Sequence, residues 1–282
     1  MSLAETSRAP PCVSPVPPSI ASGLSTDGII ALKGAFPTAW ADAMRKDIDE
    51  AYAEASHRPG GAVGRGPNRY YVEIHPEAFR GFVDVAQHPW FVEVCRSVLG
   101  PNYEIVEVGF DIPLGGAMNQ PWHRDFPSPK DTYEQHCLTS LAFNHTSVDT
   151  EPEMGPFEIA LGTQWEPGLD FMHQMFPDES EWPRYQGLAQ RKFPKRGDIS
   201  ARSALTLHRG TANLSQKSRP VMVVGADAPG AGHAALHDLQ VTQPYFDFLP
   251  AVVREHLHCR VVPRLEPVVQ KHQIEGLIRG SL

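Results

Sequence analysis

Residues 103–112 read YEIVEVGFDI, a run rich in the β-branched and aromatic residues that favour a β-strand. Four runs of similar character follow it, separated by polar, proline and glycine segments. They are CLTSLAF (137–143), PFEIAL (156–161), SALTLH (203–208) and PVMVVGAD (220–227). No helical period of useful length separates these runs. The pattern therefore predicts a mainly β domain with flanking helices, an antiparallel barrel or jelly roll rather than βαβ units.

One strand and two helices are predicted before these runs. The apolar run within residues 24–36 lies between two glycines and predicts the strand. Apolar residues recur every four positions from Trp40 to Tyr52, which predicts a helix that opens at Thr38. HPWFVEVCRSVLGP (88–101) predicts a second helix that stops at its glycine.

The rest of the chain divides into a tail, one domain and an insert. Residues 1–22 are rich in Pro, Ser and Ala and are predicted to be a mobile tail, whereas residues 23–282 are predicted to form one domain. Residues 164–196 are too long for a plain turn, so they are interpreted as a lid or pocket wall, or as a flap that only covers the barrel. From residue 245 the sequence predicts a helix and then an irregular tail. The large apolar residues of the insert are Trp165, Phe171, Met172, Met175, Phe176 and Trp182.

Composition limits the classes of function. The 282 residues carry 25 Lys and Arg against 33 Asp and Glu, a net charge of -8, which disfavours nonspecific binding to nucleic acid. No run of eighteen apolar residues and no signal-peptide pattern is seen, so neither a membrane span nor secretion is predicted. Cys12, Cys95, Cys137 and Cys259 are scattered without a CxxC pair, which favours a reduced cytoplasmic protein with buried free thiols.

Residues 120–126, QPWHRDF, place a histidine and an aspartate two positions apart. In a strand, residues i and i+2 project to the same face, so His123 and Asp125 would converge while Arg124 points away. Two such side chains can supply two ligands of a divalent metal. A lone His-x-Asp triplet is a weak motif, so further residues must support it.

A third ligand and a cation are available later in the chain. His208 ends the run SALTLH, and Arg219 lies eleven residues on, after a polar connection of hairpin character. His136 and His145 are also close in sequence to the triplet, but they are interpreted as structural histidines. Two imidazoles and a carboxylate leave three open positions on Fe(II), and 2-oxoglutarate can fill two of them. Its distal carboxylate then requires a donor such as the guanidinium of Arg219.

The combination resembles the phytanoyl-CoA dioxygenase family, Fe(II)/2-oxoglutarate-dependent oxygenases with a double-stranded β-helix (cupin-like) fold. The resemblance runs in patches from about residue 24 to 226, and four segments carry it. They are QPWHRDF (120–126), GPFEIALGT (155–163), RGDI (196–199) and HRGTANLSQKSR (208–219).

The resemblance implies roles for individual residues. His123, Asp125 and His208 would be the iron ligands, and Arg219 would bind 2-oxoglutarate. One departure is that the family usually has Gly-Ser-His where this chain has Gly-Thr-Gln at 162–164; that histidine is not an iron ligand.

Other residues near these segments have two interpretations each. Thr139 is a candidate hydroxyl donor to 2-oxoglutarate, or an ordinary strand threonine. Gln120 and Trp122 flank the metal ligands and are candidate pocket residues, although packing is favoured for Trp122. Asn213 and Ser215 are predicted to stabilise a turn through side-chain hydrogen bonds.

These observations predict an enzyme that uses Fe(II), 2-oxoglutarate and O2 to oxidise a C–H bond of a small molecule. The aromatic and Met-rich insert favours a lipid-like or natural-product substrate. Asp125 argues against halogenation, because halogenating relatives lack that carboxylate. Two alternatives stay open, a cupin-like metalloenzyme that does not use 2-oxoglutarate and a non-catalytic β-barrel that binds a small molecule. A nucleic-acid oxygenase is disfavoured by the acidic charge. Substrate identity and oligomeric state are not indicated by the sequence.

Overall fold

The computed structural model describes residues 18–270 and 274–278. Within them the chain forms twelve β-strands. In chain order these are β1 (Ile29–Leu32), β2 (Val63–Gly64), β3 (Arg69–Glu73), β4 (Glu104–Pro113), β5 (Ser140–Thr146), β6 (Phe157–Ala160), β7 (Ala189–Lys192), β8 (Ile199–Ser203), β9 (His208–Gly210), β10 (Val221–Asp227), β11 (Gln240–Thr242) and β12 (Arg260–Val262).

Eight α-helices and several short 3₁₀ turns accompany the strands in the described residues. The helices are α1 (Pro18–Thr26), α2 (Thr38–Ala55), α3 (Phe82–Ala86), α4 (Pro89–Val98), α5 (Lys130–Gln135), α6 (Trp182–Leu188), α7 (Gln243–Phe248) and α8 (Ala251–Arg254). The predicted helices that open at Thr38 and within residues 88–101 are confirmed as α2 and α4. Pro89 occupies the first turn of α4, where its missing N–H costs nothing, and Gly100 follows the helix with a φ of +96°.

Two antiparallel sheets form the body of the domain. The larger has seven strands in the order β1-β8-β5-β10-β4-β3-β2, and the smaller has the order β7-β6-β9. A separate parallel pair joins β11 and β12. Side chains from both antiparallel sheets line a single cavity. The prediction of a jelly-roll, double-stranded β-helix architecture is confirmed.

Side-chain alternation along β4 separates the hydrophobic core from the cavity. Val108 and Phe110 belong to the main core cluster, which also contains apolar residues of α2 and α4 on the outside of the larger sheet. Glu107 and Asp111, on the opposite face of the strand, line the cavity. The helices therefore cover one face of the sheet and leave its other face for polar chemistry.

Most of the predicted strands are present, but SALTLH is not one of them. It begins at the last residue of β8 and ends at the first residue of β9. The Ser203 hydroxyl accepts a hydrogen bond from Leu205 N–H, and the Ser203 carbonyl accepts one from Thr206 N–H. These two bonds close a turn within the apolar run, and apolar composition alone does not distinguish a buried turn from a strand.

The predicted segments at the ends of the chain and in the insert are partly described. Residues 1–17 of the predicted tail lie outside the described residues, and residues 18–22 belong to α1. The insert (164–196) contains α6 and β7, and because β7 pairs with β6, part of it belongs to the smaller sheet. The helix predicted from residue 245 is observed as the short helices α7 and α8.

The cysteines only partly match their prediction. Cys95 and Cys259 are free, but Cys137 is disulfide-bonded, so the prediction of free thiols is wrong at that position. Among the helices of the described residues, none has both the length and the apolar character needed to cross a lipid bilayer. The cytoplasmic location stays a prediction.

Candidate metal and cosubstrate site

The structure brings together the three residues that the sequence nominated as metal ligands. The potential ligand atoms of His123, Asp125 and His208 all lie within 4.8 Å of one another. His123 and His208 form an isolated antiparallel bridge with N–H to carbonyl hydrogen bonds of 3.0 and 2.8 Å. Two residues after His123, Asp125 N–H donates to the Ala204 carbonyl (2.9 Å), which ties this segment to the turn after β8. Backbone pairing therefore positions all three side chains.

Both histidines present a free Nε2 lone pair to the space between the three potential ligand side chains. The Nδ1–H of His123 donates to the Pro121 carbonyl (2.8 Å), and the Nδ1–H of His208 donates to the Thr206 carbonyl (2.9 Å). Each bond fixes the tautomer that leaves Nε2 unprotonated, as metal-binding histidines require. His208 Nε2 lies 3.4 Å from Asp125 Oδ1, so the third donor faces the same position.

The charge states of the three groups suit a divalent cation. Burial lowers the pKa of His123 well below its usual range, and burial together with the Arg202 cation lowers the pKa of His208. Burial acts to raise the pKa of Asp125, but Arg202 and His208 outweigh it and hold the pKa well below its usual value. At neutral pH the site therefore offers two neutral imidazoles and one carboxylate, a donor set that fits ferrous iron.

Arg202, on β8, is a site residue that the sequence did not reveal. Its Nη1 donates to Asp125 Oδ2 (2.6 Å), and its guanidinium lies 5.8 Å from the centre of the Phe157 ring. The bond occupies one carboxylate oxygen and leaves the other facing His208. No sequence signal could have joined residues 77 positions apart, because the contact depends on the register of β8.

Arg219 is a buried cation that also lines the cavity. Its residue is 3% exposed, and its Nε donates to the Met154 carbonyl (3.2 Å). The nearby Asp111 carboxylate is held by Arg69 at 2.9 Å, and Arg219 forms no ion pair within the described residues. Burial and the Arg69 cation lower the pKa of Arg219 to about 10, against the opposing effect of Asp111, so it stays protonated. A guanidinium that lacks a carboxylate partner fits an incoming carboxylate such as that of a diacid.

One cavity of about 360 Å³ contains both the metal-ligand cluster and Arg219. A volume of this size is typical of a small-molecule site. Gln120 also lines the cavity, but its amide is engaged by the backbone. Its Oε1 accepts from Gly210 N–H (2.9 Å), and its Nε2 donates to the Arg65 carbonyl (3.4 Å). Gln120 therefore links the backbone of Gly210 to that of Arg65 at the cavity wall.

Trp122 and Thr139 do not lie in the cavity wall. Trp122 is fully buried against Tyr185, with the Arg209 guanidinium 4.7 Å from its ring centre, which supports the packing interpretation. Thr139 precedes β5, at the end opposite Thr146, which does line the cavity. Because Thr146 is the residue paired with the first residue of β10, it is the β5 hydroxyl nearer to Arg219.

His136 and His145 lie outside the metal-ligand cluster and Asn213 stabilises a turn, as predicted, but His145 is not a hydrogen-bonded structural histidine, because neither of its buried ring nitrogens has a hydrogen-bond partner in the described part of the chain. His145 packs against the rings of Phe36 and Trp40, which stack on each other, and no metal cluster in the described residues includes it. His136 stacks on a tryptophan outside the cavity. The Asn213 side chain accepts from Ser215 N–H and donates to two backbone carbonyls, which stabilises the turn before β10.

The departure at residues 162–164 has a structural explanation. Gln164 is fully buried, and its Nε2 donates to the carbonyls of Ser25 (2.7 Å) and Leu24 (3.2 Å) in α1. The Thr163 hydroxyl donates to the Ala160 carbonyl and accepts from the Leu207 N–H. These bonds join α1 and the turn after β6 to the segment before β9.

Two segments far from the ligands in sequence complete the cavity wall. Lys192 and Phe193 of the insert line it, and Phe176 of the insert stacks against the His123 ring at 5.9 Å. Ile274 and Leu277, near the C-terminus, also line the cavity and pack against Phe176. Part of the insert is therefore a pocket wall, as one interpretation of the sequence predicted.

Comparison with known proteins agrees with this geometry. The family model described as Phytanoyl-CoA dioxygenase (PhyH) matches residues 24–221. A comparison with curated proteins returns no match.

The similar solved structures include three whose names mention α-ketoglutarate or 2-oxoglutarate. The carbocyclase SnoK from nogalamycin biosynthesis, titled as non-heme and α-ketoglutarate-dependent, is 18% identical, with a TM-score of 0.61 over 78% of this chain and 90% of its own. EctD from S. alaskensis, with 2-oxoglutarate and 5-hydroxyectoine, is 16% identical, with a TM-score of 0.60 over 80% and 79%. HygX from Streptomyces hygroscopicus, with nickel and 2-oxoglutarate, is 15% identical, with a TM-score of 0.57 over 88% and 96%. At these identities the likeness shows the shared fold.

Proposed function

Because this chain belongs to the phytanoyl-CoA dioxygenase family, we propose that it oxidises a C–H bond of a small organic substrate at the cavity described above. The reaction class, a 2-oxoglutarate-dependent dioxygenase with iron, 2-oxoglutarate and O2, follows from the family. In this proposal His123, Asp125 and His208 hold ferrous iron, and Arg219 holds the distal carboxylate of 2-oxoglutarate.

The observation that carries the proposal is the placement of these four side chains in one cavity. When bound, ferrous iron and 2-oxoglutarate use O2 to oxidise a substrate C–H bond, with succinate and CO2 as coproducts. The protein supplies the arrangement. The two Nδ1 hydrogen bonds orient the imidazoles, Arg202 orients the Asp125 carboxylate, and the buried walls limit the access of water.

The proposal extends to the kind of substrate. Apolar side chains such as Ile29, Phe126 and Phe157 share the cavity wall with the polar groups. This mixture supports a moderately apolar small molecule, of lipid-like or natural-product character. The names of the similar structures, among them one from nogalamycin biosynthesis and one with bound 5-hydroxyectoine, lend support to a small-molecule substrate.

The test is an anaerobic titration of the protein with Fe(II) and 2-oxoglutarate. We expect the weak visible charge-transfer band of the iron–2-oxoglutarate chelate in the wild-type protein. His123→Ala should abolish the band, whereas His136→Ala, an exposed histidine outside the cavity, should retain it. Absence of the band from the wild-type protein would contradict the proposal.

A second measurement separates the proposal from a cupin-like enzyme that does not use 2-oxoglutarate. Arg219→Ala should weaken 2-oxoglutarate binding more than tenfold, about 1.4 kcal/mol or more, since a charge-assisted pair is lost. Arg260→Ala, an exposed arginine on β12, serves as the control. Equal affinity in both variants would favour the alternative enzyme. A succinate-release screen over candidate metabolites then identifies the substrate.

A further inference from the structure

Glu107 is a carboxylate in the cavity wall that forms no ion pair within the described residues, although the Arg65 and His237 side chains interact with it at longer range. One of its oxygens, Oε1, accepts a hydrogen bond from the Tyr71 hydroxyl (2.5 Å), and both residues line the cavity. Within the described residues Glu107 takes part in no ion pair, whereas the cavity carboxylates of Asp111 and Asp125 are each bound by an arginine. A carboxylate has about four acceptor positions, and the tyrosine uses one of them.

Two glycines inside strands make room for this pair. A Cβ at Gly109 of β4 would lie 2.3 Å from the Tyr71 hydroxyl oxygen, and a Cβ at Gly225 of β10 would lie 2.8 Å from Glu107 Oε2. Glycine weakens a strand interior, so its presence there often marks a close approach by another group. The larger sheet is therefore shaped around the Tyr71–Glu107 pair.

Strand register places Glu107 level with the metal ligands. Arg202, which binds Asp125, pairs with Ala142, Ala142 pairs with Gly225, and Gly225 pairs with Glu107. Three inter-strand steps of about 4.8 Å separate the Arg202 and Glu107 backbones by about 14 Å. Of the two residues between them, Ala142 lines the cavity with a small side chain, and the space over Gly225 is taken by the Glu107 side chain itself.

Glu107 lies at a different position from Arg219, the proposed anchor of 2-oxoglutarate. Arg219 lies six residues before Gly225 along the chain that forms β10, about 20 Å of extended strand at about 3.3 Å per residue. A molecule that spans from the metal-ligand cluster to Arg219 therefore runs away from Glu107. The space between the metal-ligand cluster and Glu107 is left for a second molecule, the substrate.

We propose that Glu107 and Tyr71 form the subsite that recognises the substrate, and that the group they bind is a protonated amine. This inference rests on the proposed function of the cavity. Glu107 Oε2 and a lone pair of the Tyr71 hydroxyl can each accept an N–H bond from an ammonium group. Hydrogen bonds to a charged donor are about twice as strong as neutral ones, so the pair favours an amine over an alcohol of the same shape.

Other charged groups lie around the pair. The Arg65 guanidinium lies over the Tyr71 ring, 5.3 Å from its centre, and His237 Nδ1 lies 3.3 Å from a Glu73 oxygen. His237 lines the same cavity. An ammonium would therefore bind on the Glu107 side of the tyrosine hydroxyl, which is hydrogen-bonded to that carboxylate.

The test compares two probes of the same shape. Cyclohexylmethylamine and cyclohexylmethanol are titrated into the 282-residue chain by calorimetry, with and without Fe(II) and 2-oxoglutarate under anaerobic conditions. We expect the wild-type protein to bind the amine at least tenfold more tightly than the alcohol. Glu107→Gln should remove this preference, because its amide can still accept the Tyr71 hydrogen bond but carries no charge. Glu104→Gln, the same change on the same strand but outside the cavity wall, should retain it.

Gly225→Ala provides a second variant, since its methyl group displaces the Glu107 carboxylate, and it should also lose the preference for the amine. A wild-type protein with no preference for the amine would overturn the inference, and so would a preference that survives in Glu107→Gln. Failure of the proposed function is distinguishable from both outcomes, because it appears as a missing charge-transfer band in the separate titration with iron and 2-oxoglutarate.

Discussion

Replacing Arg202 with methionine removes the cation that binds Asp125 while keeping most of the apolar stem of the side chain. The ion pair has an N–O distance of 2.6 Å, and the two side chains are 8% and 23% exposed. Loss of one partner from a fully buried pair costs about 3–5 kcal/mol, and the partial exposure of Asp125 reduces this figure. We therefore expect Arg202→Met to lower the unfolding free energy of the metal-free protein by about 2–3 kcal/mol at pH 7.

The effect depends on pH in a defined direction. Burial acts to raise the pKa of Asp125, but Arg202 and His208 hold it well below its unfolded value. The stabilisation is therefore complete above about pH 5 and is lost as the pH falls through the folded-state pKa. Without Arg202 the pKa of Asp125 rises, so the variant takes up a proton at higher pH. The difference between wild type and variant should then be smaller at pH 4.5 than at pH 7.

Urea denaturation of the metal-free protein at the two pH values measures this difference. Arg191→Met is the matched control, because Arg191 also binds a carboxylate, that of Glu158, at 2.6 Å, but is 58% exposed. Glu158 keeps its ion pair with Arg209 at 2.8 Å and the arginine removed is exposed, so the control should lose only about 0–1 kcal/mol. The reasoning is refuted if Arg202→Met loses no more stability than Arg191→Met, or if its loss is the same at both pH values.

Three further changes test other parts of the structure. Gly210→Ala places a methyl group 2.3 Å from the Arg69 guanidinium and should destabilise the protein by about 1–3 kcal/mol in urea denaturation; an unchanged midpoint would contradict the close contact. Burial lowers the pKa of His237, but neighbouring glutamates outweigh it and raise the pKa overall. The stabilisation is therefore present below about pH 6.5 and lost as the pH rises through the folded-state pKa, so His237→Gln should cost more stability at pH 6 than at pH 9. Trp122→Ala should cost about 3–5 kcal/mol as a core truncation, and a loss below 1 kcal/mol would argue against packing.

The strands that form the cavity could be recognised from the sequence, since β-branched and aromatic runs are local signals. The runs at 103–112 and 220–227 correspond closely to β4 and β10, and the glycine of HPWFVEVCRSVLGP correctly stops α4. SALTLH was predicted as a strand and forms a turn, because the hydrogen bonds of the Ser203 side chain and backbone outweigh its apolar composition.

The contacts between distant strands could not be predicted, because they depend on register. Arg202 binds Asp125 through pairing that no local pattern encodes, and Tyr71 meets Glu107 only because β3 and β4 are neighbours. Thr139 was a reasonable candidate by type, but the structure places Thr146 at the cavity instead. The metal-ligand cluster was accessible to sequence reasoning because its residues recur at spacings typical of a family.

The cavity wall also contains residues that lie beyond the segment matched to the family. Ile274 and Leu277 come more than fifty positions after residue 221, where that match ends, yet they pack beside the ring that covers His123. The three ligand residues and part of the cavity wall thus lie in separate parts of the chain. A substitution at Ile274 or Leu277 therefore reshapes the cavity wall without changing any of the three ligand side chains.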